Sequence, residues 1–225
     1  MQLRLPRVHY AWIIIGLSVL LYLAGGSITQ AFGVVILPLQ DEYGWSQGSI
    51  TLAYGISAIM SAVLSPVVGI ATDRYGGRPV LFVGVACFFI GTAISALATD
   101  VWHIWLAYGV FLGVTQSCLN VALITTVTYW FREKLGLGVG LLQCAGGVGP
   151  AGTTLLIGIL LAHYDWRVAF WSLGIGCGTA MTMIVFFFRS KPSDMGLDPL
   201  GGAWSGAVGQ EFSRDIRILR DKVRA

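Results

Sequence analysis

Six apolar runs divide this chain, and their length constrains the fold more than any other feature. They cover roughly residues 10–37, 49–71, 80–98, 101–130, 137–162 and 168–188. A helix that crosses a bilayer needs about 20 apolar residues. The runs predict an all-α membrane protein with six transmembrane helices. Only 11% of the residues are charged and 56% are hydrophobic, with a mean hydropathy of +0.75, whereas a soluble domain carries roughly 25% charged residues. The 30 glycines suit helices that pack closely in lipid. The first run far exceeds the apolar core of about 7–15 residues in a signal peptide, so it is expected to be retained as a span.

Aromatic pairs mark the run ends: Tyr10 and Trp12, Tyr43 and Trp45, Trp102 and Trp105, Tyr129 and Trp130, Tyr164 and Trp166. Trp and Tyr concentrate at membrane interfaces in this way. Charge then sets the orientation. With the N-terminus in the cytoplasm, every Lys and Arg except Arg167 falls on the cytoplasmic side, a strong positive-inside bias. The outer segments carry Asp41, Glu42, Asp100 and Asp165. The expectation is a multi-pass protein of the inner (plasma) membrane with both termini cytoplasmic.

Three regions follow: a cytoplasmic tail (1–9), a six-span bundle (10–188) and a cytoplasmic segment (189–225). In the last, Phe212, Ile216, Leu219 and Val223 share one helical face, with Arg214, Arg217, Arg220, Lys222 and Arg224 on the others. That pattern predicts a short basic amphipathic helix for an anionic leaflet, or part of a loop joining two halves. The basic residues are scattered, which excludes a nucleic-acid-binding surface. Cys87, Cys118, Cys144 and Cys177 lie in apolar runs without ligand spacing and read as packing residues. No metal or cofactor is expected.

Between the second and third runs stands Gly69-x-x-x-Asp73-Arg74-x-Gly76-x-Arg78, followed by Pro79. This spacing resembles the signature cytoplasmic loop of the major facilitator superfamily of secondary transporters. That loop usually closes with two basic residues, and Pro79 replaces the second. Tyr43-Gly44-Trp45-Ser46 and the Pro192-x-Asp194-x-Gly196-x-x-Pro199 stretch resemble the oxalate–formate exchanger and monocarboxylate transporter branch. The resemblance covers about residues 10–200 and implies the N-terminal half of a twelve-span carrier, folded as a 3+3 inverted repeat. It further implies a small organic anion as substrate, with or without a proton. It also implies a second six-span bundle, either a C-terminal half or a second copy. Gly69, Asp73, Arg74, Gly76 and Arg78 would then form a cytoplasmic gate. Two features depart from drug–proton antiporters. Gly109 stands where many members have an arginine, and Gly146–Gly152 matches the fifth-span pattern only in part.

No Lys, Arg, Asp or Glu lies deep in a run, which argues against a proton-relay carboxylate here. Polar residues do occur: Gln30, Tyr54, Gln116, Asn120 and Gln143. Gln116 and Asn120 lie one helical turn apart. The resemblance places the first and fourth spans along the central cavity and has the second and fifth help gate it, so these five are candidates for a substrate pathway. Interhelical hydrogen bonding is the other reading. Ser57, Ser61 and Ser65 recur every fourth residue, a spacing that predicts close helix packing. A non-transporting or regulatory half-carrier is an alternative function. An intramembrane serine protease is disfavoured, because Gly16-Leu17-Ser18-Val19 is not a nucleophile turn and no His lies deep in a run, His103 standing near the end of one.

Overall fold

The computed structural model describes residues 10–131 and 135–188, apart from the side chains of residues 26–31. The expected tails, 1–9 and 189–225 with the face of Phe212, Ile216, Leu219 and Val223, lie outside the described residues. In chain order the elements are α1 (Tyr10–Gln30), a 3-10 turn (Ala31–Val34), α2 (Ile36–Tyr43), α3 (Gln47–Tyr75) and α4 (Gly77–Ala96). There follow α5 (Val101–Ile104), a π segment (Trp105–Leu112), α6 (Gly113–Trp130), α7 (Leu135–His163) and α8 (Trp166–Phe187). α5, the π segment and α6 form one rod, Val101–Trp130. It and α3, α4, α7 and α8 are each long and apolar enough to cross a membrane. α1 has 21 residues, or about 32 Å at 1.5 Å per residue, which matches a hydrocarbon core of about 30 Å.

The first run does not continue as one helix to residue 37. α1 stops at Gln30, and the chain turns and resumes as α2. Pro38 supplies the reason. In an unbroken helix its ring would strike the carbonyl of residue 34 and leave that carbonyl without a donor. In the first turn of α2 the missing N–H costs nothing, because no carbonyl awaits it. α2 ends at Gly44, whose φ of +66° lets its N–H reach the carbonyl of Gln40. α3 begins two residues before the expected run because Ser46 caps it, its hydroxyl accepting from the N–H of Ser49. Asp165 caps α8 in the same way through Trp166.

Packing joins the first three spans to the last three. α1 lies on α7, and α3 on α6 and the π segment; α4 packs on α8 and the α5–α6 rod, while α1 also meets α6 and α8. Exchanging span one for four, two for five and three for six maps each of these main interfaces onto another or onto itself. Each triplet has an odd number of spans, so the second triplet starts from the opposite end. Equivalent triplets are therefore inverted, as the 3+3 reading predicts. Buried hydroxyls along the rods return to their own helix: Ser18 to Ile14, Thr92 to Phe88 and Thr126 to Ala122. All four cysteines are free, and Cys118 is buried between helices.

α3 meets the rod where Gly109 and Gly113 leave room. A Cβ on Gly109 would stand 2.7 Å from Ile56 Cγ2, and one on Gly113 would stand 3.0 Å from the Ser57 carbonyl oxygen. The place reserved by the resemblance for an arginine is thus filled by Ile56. Gly109 lies in the π segment, a helix form often found at functional sites.

Candidate functional site

Three polar regions stand out: one at each end of the bundle and one between α3 and α6. At the first end, α3 runs through Asp73 and Arg74 to Tyr75. The expected short turn is therefore a single residue, Gly76, with φ +88° and ψ 162°. An L side chain is strained at that φ, which explains the glycine. Gly77, Arg78 and Pro79 already belong to the first turn of α4, where a proline is tolerated. The Asp73 carboxylate accepts a hydrogen bond from the Tyr129 hydroxyl at 3.1 Å, tying α3 to the end of α6. Asp73 opposes the negative C-terminal end of the α3 dipole, so this contact offsets an unfavourable position. Arg74 suits the same helix end and lies 5.5 Å from the Tyr75 ring centroid. Arg78 donates to the Phe186 carbonyl at 2.9 Å and packs beside the rings of Phe82 and Phe186. The loop is thereby fastened to the end of α8. Gly69 faces α6 with ordinary clearance, since a Cβ there would be 3.9 Å from Val121.

Midway along α3, Tyr54, Ser57, Ser61, Ser65 and Gln116 line a groove of ≈ 320 Å³. Tyr54 is 48% exposed, and Ser57 only 6%. The Ser65 hydroxyl donates to the Ser61 carbonyl at 2.6 Å and lies 3.4 Å from the Ser117 hydroxyl. One turn beyond Gln116, the side-chain oxygen of Asn120 accepts from the Tyr22 hydroxyl at 2.5 Å, joining α6 to α1. Gly146 of α7 comes against the same Tyr22 ring. The structure therefore brings Tyr54 and Gln116 into one groove and sets Asn120 beside it. Gln143 is exposed on α7 and does not line this groove. Gln30 ends α1, and its side chain lies outside the described atoms. The expectation that the serines only pack helices is half the finding: the Ser57 backbone abuts Gly113, while Ser57, Ser61 and Ser65 also line the groove.

At the opposite end, Arg167 forms an ion pair with Glu42 at 2.9 Å and donates to the Tyr43 hydroxyl at 2.5 Å. The Tyr43 hydroxyl in turn donates to the Ala98 carbonyl at 3.0 Å, and its ring stacks on Trp45. The Trp166 indole N–H donates to the Glu42 carboxylate. This clasp joins α2, the α4–α5 turn and the start of α8. Sequence reading missed it, although Arg167 as the lone cation beside Glu42 and Asp165 was a usable signal. The bonds from Trp166 and Arg167 hold the Glu42 carboxyl below its ordinary range. A depressed acid contributes stability above its unfolded pKa and loses it as pH falls through the folded value. Wild-type thermal stability should accordingly decline below about pH 4 more steeply than that of Glu42→Gln. Near neutral pH, Arg167→Ala should cost about 1 kcal/mol or less, a few degrees in Tm, because the pair is partly exposed. Parallel pH–Tm curves for the two proteins would remove the clasp from the stability account.

A bundle of apolar rods with inverted triplets and a one-residue turn flanked by charges between its second and third spans is the architecture of a polytopic membrane transporter. The chain belongs to the Major Facilitator Superfamily, matching it over residues 15–222. It is 28% identical over 183 residues to the uncharacterized MFS-type transporter YhcA of Bacillus subtilis (strain 168), covering 79% of this chain and 34% of that protein. It is 25% identical over 223 residues to monocarboxylate transporter 9 of Pongo abelii, covering 95% of this chain and 44% of that protein. The chain thus spans about a third to under half the length of these relatives. Its fold matches the proton:xylose symporter XylE bound to 6-bromo-6-deoxy-D-glucose with a TM-score of 0.71 at 17% identity, covering 81% of this chain and 46% of that one. That likeness establishes fold alone.

Proposed function

We propose that the chain forms one six-span wall of a secondary carrier for a small organic anion such as a monocarboxylate, moved with or without a proton. The observation that carries the proposal is the neutral, hydroxyl- and amide-lined groove between α3 and α6, in a chain whose relatives include monocarboxylate transporters. Substrate moves past Tyr54, Gln116 and Asn120, with Gln30 and Gln143 on neighbouring spans of the same pathway. The cation that balances the substrate carboxylate comes from a second six-span bundle, a C-terminal half or another copy, and access alternates by rocking of the two. The positive-inside bias puts the Asp73 end in the cytoplasm of an inner-membrane protein. There Gly69, Asp73, Arg74, Gly76 and Arg78 serve as the gate.

Uptake of labelled carboxylates into vesicles, with and without a pH gradient, tests the class; the absence of carboxylate flux from the complete carrier rejects it. Asp73→Asn tests the gate. Asn keeps an oxygen that can accept from Tyr129 but removes the charge, and a charge-assisted bond exceeds a neutral one by about 1 kcal/mol. Flux should fall about fivefold at unchanged membrane abundance. Parental flux at matched abundance refutes a gating role for the charge.

A further inference from the structure

We infer that the groove between α3 and α6 is a hydrogen-bonding subsite for the uncharged, hydroxyl- or carbonyl-bearing part of a small solute, with Ser57 as its specificity residue. The inference deepens the carrier reading above and rests on it.

At 3.6 residues per turn, α3 presents three separate arcs. Ile59, Val63 and Val67 form an exposed apolar arc, fit for lipid. Ala53, Ser57 and Val68 lie on the arc packed toward α6 and the π segment. Tyr54, Ser61 and Ser65 belong to the third, which opens on the groove. Lipid contact needs no hydroxyls, and the apolar arc already supplies it. Ser57 sits at the border of the second and third arcs. It is 6% exposed and lines the cavity, and its hydroxyl has no hydrogen-bond partner among the described residues. Ser18, Thr72, Thr92 and Thr126, buried in the same bundle, bond back to their own helices, and Ser95, which is also unpaired among the described residues, does not line this groove. The Ser57 Oγ opens on the groove rather than being sealed from it, so a solute group there can pair with it and gain one hydrogen bond.

The volume, ≈ 320 Å³, lies at the lower end of ligand sites, about 300–1,000 Å³. The chemistry selects the ligand part. No lining residue carries a formal charge, so the groove does not compensate a carboxylate in a low dielectric. Hydroxyl and amide groups instead match a hydroxyl or carbonyl. A solute lacking that group forgoes the hydrogen bond to Ser57, which gives a modest preference for the oxygenated analogue.

The test uses Ser61→Cys in the full chain in its membrane, with the exposed Cys144 replaced by Ala and a charged, water-soluble thiol reagent as probe. Ser61→Cys should react and Val63→Cys, on the lipid arc, should not. The 2-hydroxy acid 2-hydroxypropanoate should slow the reaction, and propanoate should need about 2- to 10-fold higher concentration to do so. Adding Ser57→Ala should erase that difference at unchanged abundance. Equal protection by the two acids overturns the subsite and leaves the organic-anion proposal standing. Protection by glycerol but by neither acid supports the subsite and overturns the organic anion. A Ser61→Cys that does not react, or that reacts without protection by any of the three, overturns the subsite in favour of a water-filled groove only.

Discussion

Gly109→Arg should remove folded protein from the membrane. The superfamily resemblance places an arginine at this position, yet here Ile56 occupies the space. A Cβ alone would stand 2.7 Å from Ile56 Cγ2, 2.9 Å from Ile56 Cβ and 3.4 Å from the Ala53 carbonyl oxygen. Overpacking of this kind costs about 1–3 kcal/mol, and a buried cation without a partner adds several more. Gly109→Ala should cost only the first part, and both are read as membrane abundance and as Tm in detergent. An arginine variant with parental abundance and Tm would mean that α3 does not seat on the rod this closely. The substitution that most resembles the wider superfamily is therefore expected to be the most damaging one in this bundle.

The second large effect concerns the bundle by itself. Residues 1–225, purified in nanodiscs or vesicles as a monomer, should give no saturable carboxylate flux. Six spans supply one wall of an alternating-access pathway. Tyr54 and Gln143 are exposed among the described residues, and polar groups left unpaired against hydrocarbon cost several kcal/mol each. On the proposed function, a second bundle covers them and closes the route. Measuring oligomeric mass together with flux separates the cases. A monomer with saturable flux overturns the expectation, and an active dimer identifies a second copy as the other wall.

The spans were legible because a bilayer imposes one long-range rule, apolar length, that a single sequence states openly. The loop from Gly69 to Arg78 was legible because its charges and glycines stand against an apolar background. Pro38 also announced the break after Gln30, but the apolar run around it masked the signal. The cross-bundle pairs were not legible. Tyr22 meets Asn120, and Glu42 meets Arg167, from positions 98 and about 125 residues apart, and only the packed rods bring them together. The double role of Ser57 was hidden for a related reason. Small residues at four-residue spacing read as packing, and nothing in the sequence tells which side of the helix opens on a cavity. The crowding of Gly109 by Ile56 likewise depends on the crossing of two rods.

The single-residue joint at Gly76 has a mechanical consequence. Between α3 and α4 stands one residue outside both helices, whose N–H still bonds the Thr72 carbonyl, so its two torsions act as a pivot and α3, interrupted at Pro66, is the arm. From Gly76 to Tyr54 the arm is about 33 Å long at 1.5 Å per residue. A tilt of about 5° at the pivot then swings Tyr54 and its neighbours through about 3 Å, enough to make or break every hydrogen bond in the groove. Arg78 pins one side of that pivot to the Phe186 carbonyl, and Asp73 fastens the other to Tyr129. Small rearrangements among these few atoms at the end of the helix thereby shift the groove midway along it.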